Sequence, residues 1–550
     1  MADGRDRRGG LEAIERIGNA LPDPVTLFAV GALLVALGAE WAVASDWAVT
    51  KNLTRDVTAP LLTADGSPVV GADGEAVLQV VRDADGRPQR EAVEVEVRAR
   101  RLLDAEGLYW ILGHLVSNFT AFPPLGIVLV GMLGIGLAER TGFIGAALKA
   151  TLIAVPRGLL TPAVFLVGVL SSLGLDAGYV VLPPVAAALF QAAGRSPLVG
   201  IAAVFAGVAA GFSANLVVTS LDPLLAEFST VSAGLLDPTY EVGARANLWF
   251  IRASTFLLTG VGWAVTAFWV EPRFVDKPAA EGGPTPPEEA DPNAATLIPD
   301  ETRGLWIAGG VTLLVLIVFA LATWIPGAPL HGMDGKFPRW VRVIVPLLFL
   351  GFLIPGLVYG FVTGRLSNDR DVATAFGEIM ASMGPYIVLA FFAAQFIAWF
   401  GHTNLGEMLA ITGGRALASA GLPAPLLMVG FIGVVAIGNL FIGSMSAKYA
   451  FFAPVFVPMF MAAGISPELT QAAYRVGDSV SNVVTPLNPY VVIILTFLRR
   501  YVPSAGIGTL VALMIPYALA FGLVWSVLLA VWVALGIPLG PEGPLDYVAP

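Results

Sequence analysis

A 24-residue segment that interrupts apolar sequence with Gly, Pro and Ser occurs twice in this chain, and it limits the possible folds more than any other feature. The copies are GLDAGYVVLPPVAAALFQAAGRSP (174–197) and SMSAKYAFFAPVFVPMFMAAGISP (444–467). They align without a gap at an offset of 270, with 10 of 24 positions identical, where composition alone gives roughly two or three. Each copy is followed by a second shared signature, VVTSLDP at 217–223 and VVTPLNP at 483–489, at an offset of 266. A duplicated, broken hydrophobic element is the mark of a secondary transporter built from two structural repeats, with substrate held where the broken elements meet.

The rest of the chain supports that class. Of 550 residues, 56% are hydrophobic and 13% charged, against about 25% charged in soluble domains. Several apolar runs exceed the ~18 residues needed to cross about 30 Å of hydrocarbon. The expected fold is therefore an all-α polytopic membrane protein. A net charge of −10 argues against nucleic acid. Most of the acids sit in two polar segments, so the charge does not identify a substrate. The absence of cysteine excludes disulfides, thiolate metal sites and cysteine nucleophiles. The first apolar run, Val25 to Ala44, is long enough to span and lacks a convincing cleavage site, so it reads as a span.

The polar punctuation divides the chain into six parts. Residues 1–45 hold an interfacial helix, ERIGNALPDP, and the first span. Residues 46–104 form a polar insert whose alternating VEVEVRAR (93–100) predicts a small β-rich cap outside the bilayer. Arg5, Arg7 and Arg8 place the N-terminus in the cytoplasm and the insert on the far side. The first repeat, 105–271, contains spans near 122–138, 142–156, 198–222 and 247–270, with a broken element at about 160–195. A Pro- and acid-rich linker, 272–302, reads as disordered. The second repeat, 303–500, has spans near 304–325, 340–363, 384–400 and 468–497, with its broken element at about 425–463; a last span lies near 505–536, within 501–550.

Backbone at membrane depth must be hydrogen-bonded unless it is buried or lines a wet cavity. Breaks at SSLGLDAG (171–178) and NLFIGSMSAK (439–448) free half-helix ends, which bind anions at N-termini and cations at C-termini. Small side chains there, Ser444 and Ser446 among them, let a ligand approach the backbone. Ionisable residues inside apolar runs are candidates for function. Asp176 lies in the first break, with Ser446 as its repeat mate. Arg475 and Asp478, spaced i,i+3, share a helix face. They read either as a substrate-carboxylate holder and a cation or proton site, or as a structural ion pair. Asn215, Thr219, Asn439, Asn482 and Thr485 offer neutral oxygens suited to Na⁺, or amide bonds between helices. Lys448 reads as snorkelling to the interface, Asp222 as a turn residue before Pro223, and His402 as a helix-end residue without a chemical role.

These motifs resemble the AbgT family, the p-aminobenzoyl-glutamate transporters. The resemblance covers nearly the whole chain. It is carried by IERIGNALPDP (14–24), EGLYWILGHLVSNFTAFPPLG (106–126), GLDAGYVVLPP (174–184), AGFSANLVVTSLDPLL (210–225), GSMSAKYAFFAPVFVPMF (443–460) and SPELTQAAYRVGDSVSNVVTPLNPY (466–490). It implies a homodimer in the bacterial inner membrane, with about nine transmembrane helices and two re-entrant hairpins per protomer in two inverted repeats. It also implies Na⁺- or H⁺-coupled movement of p-aminobenzoyl-glutamate or related folate catabolites, with no cofactor, or export of sulfonamide antimetabolites as in some members. The family's functional positions match Asp176, Ser446, Arg475, Asp478 and Pro486. One position departs: Tyr449 stands where members carry Trp, and it keeps an aromatic face for a benzoyl ring. Its repeat mate is Tyr179.

The mechanism this suggests is alternating access. A cation or proton binds near Asp176, Asn215, Asn439, Asp478 and Asn482, and an aromatic carboxylate docks between the hairpin tips. Arg475 meets its charge, and Tyr449 or Tyr179 stacks on its ring. An intramembrane aspartyl protease, using Asp176 and Asp478, is the remote rival. It leaves the repeats without a role, and the second acid has only Gly477-Asp478 where that class carries Gly-x-Gly-Asp. A channel is a further rival, but the sequence has nothing like a selectivity filter.

Overall fold

A computed structural model describes residues 24–549 apart from 57, 61–68, 70–76, 82–89, 175–176, 285–295, 440–441 and 486. The expected interfacial helix, much of the insert and part of the linker lie outside the described residues, as do Asp176 and Pro486.

The described chain is predominantly helical, as its apolar runs require. Helix α1 (Pro24–Ala44) leads into strand β1 (Ala48–Asp56). Strands β2 (Thr58–Pro60) and β3 (Leu78–Val80) pair with each other, and β4 (Arg90–Arg98) pairs antiparallel with β1, Ala48 opposite Arg98. The alternating stretch at 93–100 thus forms most of a strand in a small sheet. Helices α2 (Ala105–Thr120), α3 (Pro123–Arg140) and α4 (Phe143–Ile153) follow. Next come α5 (Leu160–Leu170), α6 (Ala177–Ala192), α7 (Pro197–Phe205), α8 (Leu221–Ala233) and α9 (Leu248–Val265). Beyond the linker are α10 (Pro299–Trp324), α11 (Ile344–Val362), α12 (Asp369–Ser382), α13 (Gly384–His402) and α14 (Leu405–Ser419). The chain ends with α15 (Ala424–Gly438), α16 (Met445–Ala462), α17 (Pro467–Ser481), α18 (Val491–Tyr501) and α19 (Ile507–Ala534). Among the described residues, eight helical segments are long and apolar enough to cross a membrane.

Both duplicated segments fall where a helix stops and restarts. Helix α5 tightens into a 3₁₀ turn at Ser171–Gly174 before α6, and α15 gives way to α16 after Asn439. The arms of the second hairpin meet through rings, with Phe431 against Phe456 at 4.8 Å and Phe460 at 5.2 Å.

Two expected spans are not continuous helices. The run expected at 198–222 is α7, a π turn at Ala206–Ala210, and non-helical backbone before α8. The run expected at 468–497 is α17, then an irregular stretch, then α18. The second interruption holds the whole VVTxL(D/N)P signature and the first ends within it, and both copies solve the same local problem. Thr219 Oγ1 accepts the Leu221 N–H at 3.3 Å, and Thr485 Oγ1 accepts the Leu487 N–H at 3.3 Å. These hydroxyl turns offer the backbone an alternative to the helical ladder. The apolar residues of the signature conceal this in a hydropathy reading. Helix α12 was also missed because it is amphipathic; Asn368 caps it, accepting from the N–H groups of Arg370 and Asp371.

Small residues let helices approach closely, as membrane packing demands. A Cβ on Gly134 of α3 would stand 2.3 Å from the Phe349 carbonyl oxygen of α11, and one on Gly356 of α11 would stand 2.8 Å from Cα of Ala138. Backbone cannot swing aside as a side chain can. Gly134→Ala is therefore expected to force α3 and α11 apart at a cost of about 1–3 kcal/mol, read as a lowered thermal midpoint in detergent. An unchanged midpoint would contradict this close packing.

Candidate functional site

Every residue of α17 is buried, yet it carries Arg475 and Asp478. A buried charge must find a partner or be neutralised. The two do not pair with each other; each meets a side chain from another element. Lys448 on α16, fully buried, places Nζ 2.6 Å from Asp478 Oδ1, and it also donates to Asn439 Oδ1. It does not snorkel, because its ammonium points into the protein where a carboxylate and an amide oxygen wait. Asn439, at the second break, turns its amide nitrogen to the Asp478 carbonyl at 2.8 Å, Ser481 Oγ at 2.9 Å and Asn482 Oδ1 at 2.8 Å. Tyr474 donates to the Met445 carbonyl at 2.6 Å. The hairpin tip is thereby tied to α17. Asp478 Oδ2 is buried without a hydrogen-bond partner.

Arg475 is held from the other half of the chain. Its Nη2 donates to Asp222 Oδ1 at 2.6 Å. Asp222 Oδ2 accepts from the Thr219 N–H at 2.6 Å and from Thr219 Oγ1 at 2.9 Å. Asp222 does begin a helix, in the first turn of α8, but reading it as a turn residue alone missed its role as the counter-ion of Arg475. Gln471 Oε1 accepts from Arg475 at 3.2 Å and from Asn247 at 2.6 Å, while its amide donates to Ser229 at 3.0 Å. The hydroxyls of Ser229 and Tyr449 lie 2.6 Å apart. A polar chain thus runs from Thr219 to Tyr449 and joins α8, α9, α16 and α17.

Beside these pairs lies a cavity of about 370 Å³ bounded by both halves of the chain. Its wall is mostly apolar, including Met132, Phe212, Leu224 and Leu348; its polar groups are Ser220, Ser444, Ser446 and Tyr386. Three helix N-termini border it. Ser220 and Leu221 open α8, Met383 precedes α13, and Ser444, Met445 and Ser446 open α16. Ser444 caps α16, its Oγ accepting the Ala447 N–H at 3.4 Å. The Ser220 hydroxyl is buried and has no hydrogen-bond partner. Helix dipoles and the hydroxyls of Ser220, Ser444 and Ser446 make such a place favourable to an anion, and the apolar wall suits a ring. Ser220, Tyr386 and Phe212 were not singled out from sequence. Only Ser220 carried a signal, since it lies inside the duplicated signature.

The other predicted residues lie around this centre rather than in it. Asn215 donates to Ser172 at 3.0 Å, and its Oδ1 accepts the Leu216 N–H at 2.8 Å. Asn482 reaches the Ala209 carbonyl at 3.5 Å. Thr219, Asn439 and Thr485 likewise have their oxygens engaged by protein donors in this conformation, the Leu221 N–H, Lys448 and the Leu487 N–H. The Tyr449 ring is fully buried, 4.4 Å from that of Tyr474, and Tyr179 stacks on Tyr490 at 4.1 Å. His402 ends α13 and stacks on Trp110 at 3.8 Å.

Interrupted helices, buried cross-paired charges and a cavity shared by both halves describe a carrier embedded in a membrane. Comparison with known proteins makes this specific. The model of the AbgT putative transporter family matches residues 10–547, so the chain belongs to that family and is a multi-pass inner-membrane transporter, not an enzyme. It is 34% identical over 533 residues to the p-aminobenzoyl-glutamate transport protein of Escherichia coli (strain K12), covering 96% of this chain and 95% of that one. Two solved structures are similar. The YdaH transporter of Alcanivorax borkumensis has a TM-score of 0.79 at 42% identity, covering 94% of this chain and 100% of its own. MtrF of Neisseria gonorrhoeae, described with a class of antimetabolite efflux pumps, has a TM-score of 0.79 at 38% identity, covering 97% and 100%.

Proposed function

We propose that this chain is a secondary active transporter of p-aminobenzoyl-glutamate or related aromatic carboxylates, coupled to Na⁺ or H⁺ and working as a homodimer of inverted-repeat protomers. The observation that carries this reading is the cavity bordered by the N-termini of α8, α13 and α16. A carboxylate directed at Ser220, Ser444 and Ser446 gains hydrogen bonds and dipole stabilisation. The attached ring is accommodated by Phe212, Met132 and Leu348. Ion coupling is supported by Asp478, a fully buried carboxylate whose second oxygen is unpartnered. Hairpin two joins this group to the cavity: Met445 lines the cavity and accepts from Tyr474 of α17, while Lys448, one turn on, reaches Asp478. Movement of that tip therefore affects both places. Asp176 and Pro486 enter this proposal through the family resemblance.

The likeness to MtrF favours a second reading, export of sulfonamide antimetabolites. The two differ in substrate and in the direction of movement relative to the driving gradient. Labelled p-aminobenzoyl-glutamate should accumulate in proteoliposomes under an imposed inward Na⁺ or inward H⁺ gradient. Failure under both, with sulfonamide moved against an H⁺ gradient, would replace the first reading by the second.

A further inference from the structure

A second cavity of about 340 Å³ adjoins the one just described; the two share Ile127, Pro223 and Val345 in their walls. Among the described residues lining this outer chamber, Arg342 is the cation and Glu227 the anion. Arg342 ends the short helix Arg339–Arg342 that precedes α11, and its guanidinium lies 4.9 Å from the centre of the Phe337 ring. Its ion-pair partner is Glu241, at 2.9 Å, and the two side chains are 37% and 43% exposed. A pair so exposed is held by little more than thermal energy, because water competes for both ends. The neighbouring cation is differently placed. Arg245 is engaged by Glu542 and stacks over Trp340 at 4.7 Å.

We propose that Arg342 is a specificity-determining residue that takes a second carboxylate of the substrate in the outer chamber while the first is held at the helix N-termini of the inner one. This rests on the substrate reading given above and narrows it to aromatic amides with a dicarboxylate tail. The planar guanidinium fork matches a carboxylate in a way that a lysine ammonium does not. A ligand carboxylate replaces the exposed Glu241 contact with one sheltered against Phe337. Glu227, in the same chamber, offers an acceptor oxygen to an N–H, which an aryl amide carries. A monocarboxylate such as p-aminobenzoate fills the inner chamber and leaves Arg342 unused.

The test is uptake kinetics in proteoliposomes for p-aminobenzoyl-glutamate and p-aminobenzoate, with wild type, Arg342→Gln, Arg342→Lys and Glu241→Gln. Arg342→Gln should raise KM for p-aminobenzoyl-glutamate about 10- to 100-fold, the worth of a charged hydrogen-bonded pair. KM for p-aminobenzoate should change by less than about threefold, since that ligand makes no contact with Arg342. Arg342→Lys should fall between, and it keeps the charge if the glutamine variant fails to fold. Glu241→Gln should leave KM for the dicarboxylate unchanged or lower. Equal increases for both compounds, or none for either, would overturn the assignment while leaving the transporter reading intact. A wild type that moves neither compound would overturn the substrate reading, and this assignment with it.

Discussion

Lys448→Met should abolish coupled uptake and destabilise the protein by about 3–5 kcal/mol, the usual cost of removing one partner of a buried ion pair. The cost comes from what remains. Asp478 is fully buried, one of its oxygens already lacks a partner, and the other would lose the ammonium at 2.6 Å. Combining Lys448→Met with Asp478→Asn removes both charges together. That double variant should recover most of the stability, since replacing a whole buried pair by neutral groups is often tolerated. It should not recover transport, because the charge proposed to sense the coupling ion has gone. The checks are thermal unfolding in detergent and gradient-driven uptake on the same preparations. A double variant that transports normally would reduce the pair to a structural tie between hairpin two and α17.

Asp222→Asn should have the second largest effect. Asparagine keeps the shape but has one acceptor oxygen where the carboxylate has two, so either Arg475 or Thr219 loses its acceptor, and the buried guanidinium loses its counter-charge. It also alters the turn in which the Thr219 N–H and hydroxyl meet Asp222 Oδ2. A loss of about 2–4 kcal/mol follows from breaking a desolvated pair with bound donors. Arg475→Met alone should cost a similar amount. The double variant should cost clearly less than the sum, with a coupling energy of at least about 1.5 kcal/mol, as expected for residues in direct contact. Additive losses would show that the two side chains are not partners. Thr219→Val removes one hydroxyl bond and should cost only about 1 kcal/mol.

Much of this architecture was legible in advance, and for identifiable reasons. Apolar length is a local property, so the spans at Ile344–Val362 and Ile507–Ala534 follow from composition. Gly and Ser at 171–178 and 439–448 weaken helices by backbone preference, and the helices break there. The signature breaks at 211–220 and 482–490 were less visible. Their apolar residues continue a hydrophobic run, and the side-chain turns that hold the non-helical backbone rest on a few polar residues, Asn215, Thr219, Thr485 and Asn488. Lys448 and Asp222 were misjudged for one shared reason. A lysine near a helix end and an aspartate before proline have common local explanations, and nothing in their neighbourhoods names a partner.

The sequence alone determined the class of this protein. It is a membrane carrier with two broken elements, because hydrophobic length and Gly/Pro preference act over a few residues and are written in consecutive order. The tertiary structure decided which charges face each other and which helix ends share a cavity. Arg475 meets an aspartate 253 positions earlier, and the N-termini of α8, α13 and α16 come from segments far apart in the chain. Those choices are made by the packing of whole helices. Buried charges accept whatever counter-charge the packing delivers, so their pairing appears only when the chain is folded.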